Sequence, residues 1–164
     1  MIFNFRIVSD EVDNFKREIK IDADATFLDL KNAICNSVSY DKNQMSSCFM
    51  CDRNWEKEKE ITFEDMGSDT DEDVWLMEDT ILSDLIEDEG QKLLYVFDYM
   101  TDRAFFIEMK EMIPGKNLKD PVCTLSLGHA PAQIVDLDAD FYGESDFNPD
   151  EFDEEGFDEL NFND

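Results

Sequence analysis

Phe15-Lys16-Arg17-Glu18-Ile19-Lys20-Ile21-Asp22-Ala23-Asp24-Ala25-Thr26-Phe27-Leu28-Asp29-Leu30 contains the change of period that decides the fold. Up to Ile21, Phe15, Arg17, Ile19 and Ile21 share one face and Lys16, Glu18 and Lys20 the other, the two-residue period of a half-buried strand. From Phe27 onward the apolar residues recur as Phe27, Leu30, Ile34 and Val38, the spacing of a helix stripe. Thr26, with Asp29 three residues on, supplies the helix start. Upstream, Phe3, Phe5 and Ile7 alternate with Asn4 and Arg6, and the polar link Ser9 to Asn14 makes the two runs a β-hairpin. Hairpin followed by helix is the opening order of a β-grasp.

Downstream, Ser47 to Cys51 predicts a third strand, Ile61 to Phe63 a short fourth, and Val74 to Met77 a further strand. Thr80-Ile-Leu-Ser-Asp84-Leu85-Ile86 echoes the Thr26 segment and predicts a short second helix stopped by Gly90. Leu93-Leu-Tyr-Val-Phe97 is continuously apolar, as in a central strand covered on both sides. Arg103 to Met112 alternates and should pair with it through a turn at Tyr99 to Asp102, ending at Pro114 and Gly115. The pattern predicts an α+β fold, two helices packed on a mainly antiparallel sheet.

Charge divides the chain. Of 164 residues 42 are acidic and 14 basic, a net of -28. Asp136 to Asp164 holds 13 acidic residues and no Lys or Arg. This predicts a folded domain over residues 1–135 and an acidic, aromatic-studded tail over residues 136–164. Gly67 to Asp73 is a second acidic run, expected as an exposed loop. Such charge disfavours direct binding to nucleic acid or anionic membranes. No stretch reaches the roughly 20 apolar residues of a membrane span, and the N-terminus lacks a signal-peptide layout, so a soluble cytoplasmic protein is expected.

Chemical motifs are sparse. Cys48-Phe-Met-Cys51 needs further ligands to hold zinc, the candidates being Cys35, Cys123 and His129, with Cys48, Cys51, Cys123 and His129 as one conceivable set, and the plainer reading is that the cysteines are reduced thiols. His129 lies between Gly128 and Pro131, as a loop histidine would. The aspartate runs at 69, 71, 73 and at 136, 138, 140 lack the Gly and Glu of a calcium loop. No glycine-rich phosphate loop is present. No catalytic, cofactor-binding or metal residue is assigned. In the tail, Phe147, Phe152, Phe157 and Phe162 recur every five residues, which suits neither helix nor strand. Three readings stay open: a disordered solubilising tail, an interaction segment whose Phe side chains enter a basic partner, or a tail docked on the domain.

Leu82-Ser-Asp-Leu85, then Gly90-Gln-Lys-Leu-Leu-Tyr95-Val-Phe97-Asp98-Tyr99, then Phe106-Ile-Glu-Met-Lys-Glu111 resemble the plasmid pRi Orf-three-like family, also described as an insertion-element passenger TnpR-like protein. Pro121-Val-Cys123 resembles the family's ending, and the resemblance covers roughly residues 1 to 133. Met100, Thr101, Arg103 and Phe105 stand where the family's turn usually carries Gly, Asp, Trp and His. The resemblance implies the fold and no mechanism. The expected function is therefore a non-enzymatic protein-interaction module related to mobile-element or plasmid-borne proteins, with a basic protein partner and Phe147, Phe152, Phe157 and Phe162 as contact residues. The alternatives are a DNA mimic and an enzyme of unrecognised type.

Overall fold

The computed structural model describes residues 1–65 and 74–135. The acidic loop expected at 67–73 and the tail at 136–164, with its four Phe residues, lie outside the described residues. The chain divides into a unit Met1–Gln133 and a unit Ile134–Asp164, and the first contains all the strands and helices of the described residues.

The chain folds as α+β. The strands are β1 (Ile2–Ser9), β2 (Lys16–Asp22), β3 (Ser47–Cys51), β4 (Lys57–Thr62), β5 (Trp75–Leu76), β6 (Lys92–Asp98), β7 (Arg103–Ile113) and β8 (Val122–Leu127). They form one sheet in the order β5-β4-β3-β6-β7-β1-β2-β8. Every pairing is antiparallel except β4 with β5. Helix α1 (Phe27–Val38) starts at a complete capping box: the Thr26 hydroxyl accepts from the Asp29 N–H, and the Asp29 carboxylate accepts from the Thr26 N–H. Its Phe27, Leu30, Ile34 and Cys35 join Phe5, Ile19, Tyr95, Phe97 and Phe105 in one buried cluster. The period-two and period-3.6 positions thus meet in a single core, and the sheet keeps a second, outer face.

Three expectations change. The second helix, α2, is a single turn, Leu82–Leu85, without a side-chain cap. Thr80 is extended, its hydroxyl donates to the Leu76 carbonyl at 2.7 Å, and its own carbonyl accepts from Phe27 N–H. The Thr80 segment is therefore tied to the start of α1 instead of opening a helix. Gly90 does not stop α2, which ends at Leu85; it sits four residues beyond Ile86, at φ +91°. Strand β4 begins at Lys57, earlier than the apolar pattern shows, because Lys57 and Lys59 lay their ammonium groups over the Phe49 and Trp75 rings. Finally, Val122–Leu127 forms an edge strand that the sequence pattern does not predict. It is largely exposed, so no hydrophobic period marks it.

The end of the described chain is held by two arginines. Arg17, 5% exposed, donates to the carbonyls of Ser37, Leu127 and Gly128, joining β2, α1 and the end of β8. Arg103 donates to the carbonyls of Ala132 and Gln133, and the Tyr40 hydroxyl donates to that of Pro131.

Candidate functional site

The outer face of the sheet is organised as rows of residues in register across the strands. One row is charged: Lys57, Cys51, Lys92, Glu108, Arg6 and Glu18 stand side by side from β4 to β2. Arg6 is ion-paired to Glu108, and Lys92 approaches the same carboxylate at 3.7 Å. Glu18 accepts from Lys110 at 2.8 Å; that bond holds its carboxyl below the ordinary value despite an opposing effect of burial. The next row is mostly apolar: Phe49, Leu94, Phe106 and Val8, continued by Lys16 and Leu127.

Trp55 closes one end of the space between these rows. Asp52 turns the β3–β4 link by accepting from the Asn54 and Glu56 N–H groups, bonds that keep its carboxyl below the usual range. Trp55 itself takes a left-handed backbone, φ +68°, which is uncommon for a bulky residue. The turn sets its ring edge-on to Phe106, with centroids 4.9 Å apart, and Lys92 lies 5.0 Å over it. Arg6, Val8, Lys16, Trp55, Phe106 and Glu108 line an open pocket of about 240 Å³. Arg6, Lys16, Lys92 and Lys110 thus outnumber the two carboxylates of this part of the face, Glu108 and Glu18, in a chain of net charge -28.

A second polar group lies farther along the same face. The Ser47 hydroxyl donates to Glu60 at 2.6 Å and stands 2.6 Å from the Tyr99 hydroxyl, which also donates to Glu60. Ser47 is fully buried. Its oxygen is enclosed between β4 and the end of β6, which suits a latch between strands better than an attacking group.

The cysteines and His129 do not assemble. Cys48 faces the core beside Tyr95, Cys51 faces the outer side, and Cys123 sits on β8, five strands away from β3. At about 4.8 Å per strand, that separation puts Cys123 far beyond sharing a metal with Cys48. Among the described residues no group of three or more His, Cys, Asp or Glu could hold a metal ion. Burial pushes the Cys48 thiol up to about 12 and that of Cys51 up to about 11. His129 is exposed. Phe147, Phe152, Phe157 and Phe162 lie outside the described residues.

Phe106 and Glu108 fall within a stretch that carries the family resemblance, but nothing along the chain marks the pocket residues as a site. Arg6 and Lys16 show in the sequence only as the polar side of alternating strands, and Phe106 falls on the same side of its strand as Glu108 and Lys110, opposite the apolar Phe105, Ile107 and Met109. Their meeting with Trp55 is a product of strand order.

No curated protein matches the sequence. Among solved structures, a protein of unknown function from Methanosarcina mazei Go1 is similar, with a TM-score of 0.58 and 17% identity over 76% of this chain and 68% of that one. That likeness is one of fold. The profile of the plasmid pRiA4b ORF-3-like proteins matches residues 2–142, which include every strand and helix of the described residues and the whole pocket, and the chain belongs to that family.

Proposed function

We propose that this chain is a non-enzymatic, cytoplasmic protein-interaction module, kin to plasmid-borne and mobile-element proteins, built on a β-grasp-like opening of hairpin and helix. The observation that carries the reading is the outer sheet face: an aromatic pocket bounded by Trp55 and Phe106, with Arg6 and Lys16 at its rim. Aromatic and arginine side chains grouped on a partly exposed surface are the composition of binding hot spots. The net charge of -28 would steer a partner with a basic surface toward the rest of the molecule, the tail included.

The same charge supports a second reading, a DNA mimic that occupies a nucleic-acid-binding protein. An enzymatic reading has Ser47, Glu60 and Tyr99 in its favour, weighed against the burial of Ser47.

Affinity capture with the intact chain, with Lys16→Glu, and with Phe147, Phe152, Phe157 and Phe162 all changed to Ser separates these readings. An interaction module should lose a defined partner with one of the variants and keep it with the other. A DNA mimic should lose its partner to added duplex DNA. Identical captures from all three proteins, unaffected by DNA, would refute both.

A further inference from the structure

We propose that the outer-face pocket receives an aromatic side chain of an extended peptide segment whose neighbouring residues are acidic. The proposal rests on the reading of this face as a docking surface and names its partner's chemistry. Trp55 and Phe106 already meet edge to face at 4.9 Å, and a third ring seated against Val8 extends that packing. The charge around the ring is specific. Arg6 and Lys92 share the carboxylate of Glu108, while Glu18, beside Arg6 in the same row, is bound by Lys110 and also lies in the field of Lys16. Four cations, Arg6, Lys16, Lys92 and Lys110, face two carboxylates, Glu108 and Glu18, and that excess of positive charge calls for carboxylates on the ligand.

The ligand should be a chain rather than a small anion, because the complementary surface continues past the pocket. From Phe106 on β7 the row runs over Val8 on β1 to Lys16 on β2 and half-exposed Leu127 on β8. Three strand spacings amount to roughly 14 Å, the reach of about four extended residues. An aromatic residue seated beside Trp55 therefore places a carboxylate two or three residues away within reach of Lys16. Leu127 offers an apolar contact beyond it. The chain's overall negative charge opposes the approach of such a peptide. At physiological ionic strength that field is screened beyond about 8 Å, so the charges at the contact decide.

The probe is a blocked synthetic peptide, Asp-Glu-Phe-Asp-Glu, added to the full-length protein labelled with nitrogen-15. The chain has two tryptophans, so the indole N–H signals of Trp55 and Trp75 serve as reporter and internal control. Binding should move the Trp55 signal and leave that of Trp75 in place. Replacing the peptide's Phe by Ser should abolish the shift, and Lys16→Glu should weaken binding about tenfold or more while Lys16→Arg retains it. The Ser peptide acts on the unaltered protein, so that comparison stands even if a variant folds poorly. Equal shifts from the Phe and Ser peptides, a shift confined to Trp75, or no Trp55 shift at millimolar peptide would each overturn the proposal. If the peptide fails while Lys16→Glu still removes a captured partner, only the peptide chemistry falls and the docking face remains.

Discussion

Arg103 grips Glu11 with two donors, Nε to one carboxylate oxygen at 3.0 Å and Nη2 to the other at 2.9 Å, across 92 positions of sequence. The pair fastens the β1–β2 link to the start of β7. The same guanidinium reaches Asp98 at 3.2 Å and lies 5.1 Å from the centre of the Phe97 ring. One fork of donors here orders a strand end, a hairpin link and the 131–133 segment together.

Acid should dissolve part of this junction. Burial works against the charge on Asp98, but bonds from Thr101 and Arg103 outweigh it and hold the carboxyl below its ordinary value. A lowered native pKa gives stability that is fully present above the unfolded value of about 3.9 and is lost as pH falls through the native one. Urea unfolding of the wild type and of Asp98→Asn should show a gap at pH 6 that narrows steadily below pH 4. A gap independent of pH would mean that the Asp98 charge contributes nothing.

The two threonines that look alike in sequence should respond differently. Thr26→Ala removes the acceptor for the Asp29 N–H and should cost about 1 kcal/mol, most of it recovered by Thr26→Ser. At Thr80 the hydroxyl donates to a carbonyl instead, so a Thr80→Asp replacement, a good cap elsewhere, should destabilise rather than substitute. Equilibrium melts of the three variants check this contrast.

Gly128 and Gly115 both have positive φ, at 74° and 78°, yet only the first is crowded. A Cβ at Gly128 would stand 2.6 Å from the Asn14 carbonyl oxygen, whereas one at Gly115 meets nothing within 4 Å. Gly115→Ala should therefore cost about 1 kcal/mol for backbone conformation alone. Gly128→Ala should cost clearly more, because the β8 end must move off the β1–β2 link. Comparable melting temperatures for the two variants would contradict this account.

Thiol labelling should follow burial. Cys123 is exposed on β8, and the raised thiols of Cys48 and Cys35 are buried, Cys35 with its sulfur 3.5 Å from the Tyr95 hydroxyl. A disulfide reagent at neutral pH should modify Cys123 within minutes and reach Cys35 and Cys48 only after unfolding. Peptide mapping after a short pulse reads the order directly.

Leu30, fully buried in the cluster shared by α1 and the sheet, tests the core itself. Leu30→Ala should cost roughly 2–5 kcal/mol, with the denaturant midpoint falling at unchanged slope.

Sequence alone determined the pieces whose signal is local. Alternation within β1 and β2, the Thr26–Asp29 box, the apolar run of β6 and the alternation of β7 each depend on residues two to four positions apart, and the structure has each of them. Tertiary structure decided what depends on distant partners. It set β7 beside β1 and made β8 a strand by pairing it with β2. It cut the Thr80 segment to one turn and drew β4 back to Lys57, through contacts with Leu76 and the Phe49 ring that no local period encodes. The pocket is the plainest case. Residues 6, 8, 16, 55, 106 and 108 come from four separate parts of the chain. Each is an ordinary outer-face or turn position by its own neighbours, and register between strands is what sets them side by side.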